Sequence, residues 1–452
     1  MKFPFPKCLA PFVLGLLASL SFPVFGDEPR TPEIESYVNK MIQQRAPYET
    51  RTFKSFQLKN GLEVLIIQDQ SAKELAVSLN VDTGLLSDPP QYRGLAHYLE
   101  HVLFLGSDKY PTPEEYRNFM EQNGGFANAF TDSKSTNYLF QVNPSAYAEA
   151  IDRFSNVFTH PLFRETYISK ELEAIESEYR KNLNNNAFRA IHLGNILANP
   201  GHPQSRVFQG NKETLSNVPR NVVIAFFNKH YVASKMKLAV ISPLSAEQLQ
   251  PLIQEKFTEL SPNPAPPVDV ARELPFYREQ DLPRIIQTQP VGDKYVLSLE
   301  FPISSTNQFY YSRPHFFLEN FIRRKEPGTL QYLLKMNGWI VGLSAHTEEQ
   351  GIAPAPIFKV TFDLSKSGYD HWKSICGYFF KYLEFLKQQG LQRSYYETQK
   401  RFTELDMLFE TPLTGAFDAA NFSFGMQKHI SPTSHTLRPY FLSLIQTPSK
   451  NY

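Results

Sequence analysis

Residues 94–105 read Gly94-Leu-Ala-His97-Tyr98-Leu99-Glu100-His101-Val-Leu-Phe104-Leu105, an apolar run with no internal Gly or Pro that predicts a helix. His97 and His101, four residues apart, then project from one face about a turn from each other, so both rings can reach one ion. Glu100 lies on the same side. Zinc suits this set, because it accepts imidazole nitrogen at about 2.0–2.1 Å and keeps a position open for water. A carboxylate beside such a site can take the proton of that water as it attacks a carbonyl. With 11 His in 452 residues, chance alone yields His-x-x-Glu-His in about two of every hundred chains of this length. The pentapeptide is therefore suggestive, and zinc needs a third protein ligand.

A long charged helix predicted over Ile168–Asn182 offers one. It carries Glu171 and Glu178 seven residues apart, hence on one face and two turns from each other. Either could bind a metal while the other orients a ligand. The same helix also reads as a solvated one laced with pairs such as Glu176–Arg180, which requires no metal.

Around these helices, Phe56–Ile67 alternates apolar residues on either side of Asn60-Gly61 and predicts a hairpin with a type I′ turn. Further strands are expected at Leu75–Asp82, Thr136–Val142 and Lys237–Ser242. Helices are expected at Glu114–Asn123, Ala146–Phe158 and Ala246–Leu260. Ser261-Pro-Asn-Pro-Ala-Pro-Pro267 then interrupts the pattern as a stiff linker. Beyond it the order restarts: strand Tyr295–Pro302, helices Pro314–Arg323 and Gly328–Met336, strand Phe358–Leu364, helix Tyr369–Gln388. This is an internal duplication. The domains expected are 27–260 (zinc-binding and catalytic), a Pro-rich linker at 261–284, and 285–452 as a second, inactive repeat that stops early.

The remaining composition narrows the chemistry. Lys and Arg total 46 and Asp and Glu 45, a net charge of +1, so no global field recruits nucleic acid or an anionic membrane. Two cysteines exclude a disulfide scaffold and any four-Cys metal site built from this chain alone. Cys376, among Ile375, Tyr378 and Phe379, reads as a structural thiol. There is no Gly-x-Ser-x-Gly elbow and no phosphate-cradling loop. Lys2 and Lys7 precede the uncharged run Cys8–Phe25 and the small residues Val24 and Gly26, the layout of a signal peptide over 1–26. The product from Asp27 is expected to be periplasmic or secreted, with no stable membrane insertion once the signal is removed.

The His97-x-x-Glu100-His101 motif and its surroundings resemble the pitrilysin/insulin-degrading-enzyme family of metallopeptidases. The likeness runs through Phe104-Leu-Gly-Ser107, Lys109-Tyr-Pro111, Gly124-Gly-Phe-Ala-Asn128-Ala129-Phe-Thr131, Thr136-Asn-Tyr138, Asn199-Pro-Gly-His202-Pro203 and Gly210-Asn211. Past the linker it continues in Glu326-Pro-Gly328 and Asn337-Gly-Trp339. The resemblance implies an α+β fold of two duplicated domains, each a sheet covered by helices. It also implies one Zn2+ per chain on His97, His101 and Glu178, with Glu100 as general base and Glu171 in support. The strand at Asn128 and Ala129 would pair with the backbone of a peptide or unfolded-protein substrate. In the second copy Phe316 and Asn320 stand at the histidine positions, so that copy builds no metal site. Long relatives carry a further C-terminal half. The partner implied here is therefore a second copy in a homodimer, or a separate chain supplying that half. The alternative to a zinc endopeptidase is a non-catalytic peptide-binding or assembly subunit, or a truncated product without that half.

Overall fold

Four strands of the first sheet are buried on both faces, and that double burial sets the architecture of the site-bearing unit. The computed structural model describes residues 50–263, 274–303, 306, 314–348, 356–390, 393–409 and 414–427. The expected signal peptide at 1–26, the expected start at Asp27, part of the expected Pro-rich linker (264–273) and the C-terminal stretch from 437 lie outside the described residues. Two compact units emerge, one from residues 50–274 with 414–427 and the other from 275–409. Among the described residues no helix is long and apolar enough to cross a membrane.

In the first unit, strands β1 (Thr52–Gln57), β2 (Glu63–Gln68), β3 (Leu75–Val81), β4 (Phe126–Thr131), β5 (Thr136–Val142) and β6 (Met236–Ser242) form one sheet in the order β1-β2-β6-β3-β5-β4. β2 and β6 are parallel and every other pair is antiparallel. All seven residues of β3 and of β6 are buried, so these strands read as continuous rather than alternating apolar runs. The Tyr147–Thr159 and Ala246–Phe257 helices pack together, and the latter also lies on β2. A helix from far along the chain, Ala416–Gln427, packs on β3, β5 and β6. Ala419, Phe422 and Met426 of this returning helix share a buried cluster with Leu65, Ile67, Ala76 and Ile241. Its small residues admit the sheet closely enough for a buried polar contact. The Ser423 hydroxyl lies 2.8 Å from that of Ser78 and accepts from Asn137 Nδ2 at 3.0 Å.

This placement corrects the expected boundary of the second domain. Residues 285–452 do not all follow the repeat, because the returning helix completes the first sheet instead. Phe417 and Phe424 add ring contacts to Phe126 and Phe130 of β4. The hairpin forms with Gln57 opposite Glu63, but its turn is not type I′. Five residues connect the strands, and only Gly61 has positive φ, at 99°. Asn60 keeps ordinary backbone because its carboxamide is engaged elsewhere, donating to the Phe257 carbonyl at 2.8 Å and so tying the turn to the end of a helix.

The second unit repeats the local order. β7 (Tyr295–Pro302), helices Pro314–Ile322 and Leu330–Met336, β8 (Ile340–Glu348), β9 (Ile357–Leu364) and helix Trp372–Gln389 follow one another. Its sheet runs β7-β9-β8, antiparallel throughout, matching β3-β5-β4 of the first copy strand for strand. Here Phe358, Val360, Phe362 and Leu364 alternate on β9, so this sheet is packed on one face, against Ile375, Phe379 and Leu383.

Lys109-Tyr110 has a structural task. Lys109 Nζ and Tyr110 OH both donate to Asp152 Oδ2, and Lys256 Nζ approaches Asp152 Oδ1 at 3.1 Å. Burial alone would raise the Asp152 carboxyl, but these donors outweigh it and hold it near about 2. A carboxyl lowered by folding stabilises the native state above its unfolded pKa and loses that effect as pH falls toward the native value. Asp152→Asn should therefore cost on the order of 2 kcal/mol at pH 7, and the gap should close between about pH 4 and 2. Thermal unfolding of both forms across that range checks this; a gap independent of pH would contradict it.

Candidate metal centre

The helix Leu95–Leu103 carries the histidines, and its start is built by close backbone approach. Gly94 has φ 96°, and a Cβ there would lie 2.3 Å from the Cα of Gly210. The Asp88 carboxyl accepts from the backbone N–H groups of Gly94 at 2.6 Å and Ala96 at 2.8 Å. Burial pushes this carboxyl up to about 8, these amides pulling it back only in part, and its oxygens satisfy N–H groups that the helix itself leaves unpaired. Almost every residue of this helix is buried, and Tyr98 OH donates to the Ile168 carbonyl at 2.7 Å, joining it to the acidic helix Glu165–Asn182.

On that acidic helix the two buried residues are Ile168 and Ile175. Glu171 and Glu178 each follow one of them by three positions, so the packing that seats the isoleucines also brings both carboxylates toward the histidines. They then take different tasks. Glu171 Oε1 lies 3.1 Å from His101 Nδ1. Glu178 Oε2 lies 3.5 Å from His97 Nε2 and 3.7 Å from His101 Nε2. The Glu176–Arg180 pair is also formed, on an exposed part of the same helix. The ion pair and the carboxylate–histidine contacts thus occupy different parts of one helix.

The opposite ring nitrogen of His97, Nδ1, faces the Gln209 carbonyl at 2.8 Å. A carbonyl oxygen only accepts, so Nδ1 carries the proton and Nε2 presents its lone pair. The Glu171 carboxylate imposes the same tautomer on His101. The two Nε2 atoms stand 3.2 Å apart, in rings nearly perpendicular at 89°. Two lone pairs and a carboxylate therefore face a common point, an arrangement that requires a cation or a proton between them.

A metal fits that point. Among the described residues, His97, His101 and Glu178 are the group of three whose ligand atoms lie within 4.8 Å of one another. Tetrahedral zinc with bonds of about 2.0–2.1 Å sets its ligands about 3.3 Å apart, close to the spacing found. Without the ion, protons take its place. Burial disfavours a charged His101 ring, but Glu171 and Glu178 outweigh it and push its pKa up to about 10. His97 is also raised against its burial, chiefly by Glu178. Glu178 is held well below the usual carboxylate range by His101 and His97.

Glu100 is buried beside this group, and its Oε2 accepts from Thr131 Oγ1 at 2.6 Å. Asn128 and Ala129 lie on β4, the edge strand of the sheet, with Asn128 exposed. Three participants escaped the reading of the sequence. Gln209 supplies the carbonyl to His97. Asn182 Nδ2 donates to Gln209 Oε1 at 2.8 Å and lies 3.4 Å from Glu178 Oε1. Thr131 holds Glu100. The one signal near Gln209 is Gly210, required by its φ of 94° and its contact with Gly94.

Replacing Glu171 by Gln keeps its shape and removes the charge that holds His101. Zinc affinity should fall about 10- to 100-fold, as read by competition against a chromophoric chelator, with the fold intact. Wild-type affinity in Glu171→Gln would show that this carboxylate does not support the ligand.

Comparison with known proteins places these features in a wider set. The family "Insulinase (Peptidase family M16)" matches residues 63–201, and "Peptidase M16 inactive domain" matches 217–402. The A-factor-processing enzyme of Saccharomyces cerevisiae is 32% identical over 403 residues, which is 86% of this chain and 38% of that protein. Human insulin-degrading enzyme is 32% identical over 373 residues, 81% of this chain and 36% of its own length. The chain thus spans about two fifths of the length of these curated relatives. Among solved structures, pitrilysin superposes with a TM-score of 0.80 at 24% identity, over 88% of this chain and 43% of that one. A protease from Helicobacter pylori superposes with a TM-score of 0.67 at 16% identity, over 87% of this chain and 94% of its own. At those identities the two structures speak for the fold.

Proposed function

Because the chain belongs to the insulinase family of peptidases (M16), we propose that it is a zinc-dependent endopeptidase cutting peptides or unfolded segments. The observation that carries this reading is the convergence of His97 Nε2, His101 Nε2 and Glu178 Oε2 beside a buried Glu100. His97, His101 and Glu178 would hold one zinc ion, with Glu171 orienting His101 and Gln209 orienting His97. Zinc bound there polarises a carbonyl and acidifies water. Glu100 takes the proton of the attacking water and returns it to the leaving amine. β4 offers a free edge for an extended substrate, whose backbone would add a strand beside Asn128 and Ala129. The Asn128 side chain already accepts the Ala129 N–H at 2.9 Å, so an incoming carbonyl competes with a group the strand carries itself.

The charged and then apolar N-terminal pattern supports export, and we place the protein in the periplasm or outside the cell. One fact favours a second reading: the curated relatives named above are more than twice as long. A chain that needs a further half, from a second copy or another protein, would bind peptides without turning them over by itself.

Hydrolysis of quenched fluorescent peptides separates the two. Wild-type turnover should be abolished by chelator and restored by zinc. Glu100→Gln should lose about 10²- to 10⁴-fold in kcat while retaining its metal. No turnover by folded, zinc-loaded wild-type protein would overturn the enzyme reading and leave the binding one.

A further inference from the structure

We propose that Thr131 is a positioning residue for the general base, tying Glu100 to the strand that receives the substrate; this rests on the endopeptidase reading above. Thr131 closes β4, and its hydroxyl donates to Glu100 Oε2 at 2.6 Å. Its other hydroxyl neighbour, Thr136 Oγ1, is longer at 3.3 Å and already donates to the Thr83 carbonyl at 2.8 Å. The single proton of Thr131 is thus directed to the carboxylate, the shorter and charged acceptor. Among the described residues Oε1 of Glu100 accepts nothing, which leaves one oxygen anchored and the other free to take a proton.

The second copy supplies an independent observation. Its helix Pro314–Ile322 reads Phe316-x-x-Glu319-Asn320, with a glutamate at the place of Glu100 and Phe and Asn at the places of His97 and His101. Glu319 is buried, and its Oε1 accepts the backbone N–H of Thr347 at 2.7 Å, on β8, the counterpart of β4. The helix-to-strand tie therefore persists where Phe316 and Asn320 replace the histidines. In the metal-bearing copy the donor is a side-chain hydroxyl two residues from Ala129, so the strand that pairs with substrate also aims the base. A carboxylate freed from that hydroxyl spends less time in line with the attacking water, and small misplacements of a reacting group are costly in rate.

The variants are Thr131→Val, which keeps the shape and removes the donor, and Thr131→Ser, which restores it. Each is assayed as the full chain for peptide turnover, zinc affinity by chelator competition, and unfolding temperature. Thr131→Val should lower kcat at least tenfold with KM within about twofold of wild type, and Thr131→Ser should recover most of the loss. Zinc affinity and unfolding temperature should stay at wild-type values in both. Thr131→Val with wild-type kcat, a Ser variant as impaired as Val, or a loss that tracks zinc or unfolding would overturn the proposal while the enzyme reading stands. Wild-type protein without chelator-sensitive turnover would overturn both together.

Discussion

Two imidazole rings have each lost one nitrogen to a fixed acceptor, and the chemistry of this protein depends on that constraint. With Nδ1 of His97 on the Gln209 carbonyl and Nδ1 of His101 on the Glu171 carboxylate, both Nε2 lone pairs turn inward. Glu178 completes a triangle of donors with nothing positive of its own to offer. Such a triangle calls for a cation, or for protons on the rings, which Glu171 and Glu178 favour. The surrounding scaffold holds it in place. The Gly94–Gly210 contact, the Asp88 carboxyl and the Tyr98–Ile168 hydrogen bond leave the histidine helix little freedom to relax.

That scaffold is the doubly covered sheet. Strands buried on both faces need helices on both, and the second layer includes a helix drawn from beyond the repeat. The returning helix fits because Ala419, Ala420 and Ser423 keep its surface low against the sheet, while the Ser78–Asn137–Ser423 cluster specifies where it sits. A buried polar group demands its partner, so this cluster penalises a shifted docking more than an all-apolar face would. The two copies then diverge in use. Both anchor a helix glutamate on the neighbouring strand, but only the first surrounds it with histidines.

Elements with a local signal were legible in the sequence. The histidine helix and β5 lie within two residues of their expected bounds and the hairpin within four, since periodicity and turn chemistry act over short distances. The seven-residue spacing of Glu171 and Glu178 placed both on one face and left open which would meet a metal, and the family resemblance implied Glu178. What separates the two is tertiary: Glu171 meets His101 Nδ1, whereas Glu178 faces both Nε2 atoms. Gln209 acts through its backbone carbonyl, which has no residue-type signature. Thr131 looks like any strand residue until a helix thirty residues earlier is packed against it. The returning helix, apolar on most sides and some 180 to 360 residues from its partners, carries no pattern that names its sheet. At Asn60-Gly61 the local rule failed because a distant helix end competed for the asparagine side chain.

The central claim is that His97, His101 and Glu178 hold one ion between them. Anomalous diffraction at the zinc edge, from crystals of the zinc-loaded chain, tests it most directly. The account predicts a single strong peak about 2.0–2.2 Å from His97 Nε2, His101 Nε2 and a Glu178 oxygen, with both Nδ1 contacts kept. A zinc peak elsewhere with these three side chains uncoordinated, or no peak in folded protein, would contradict it.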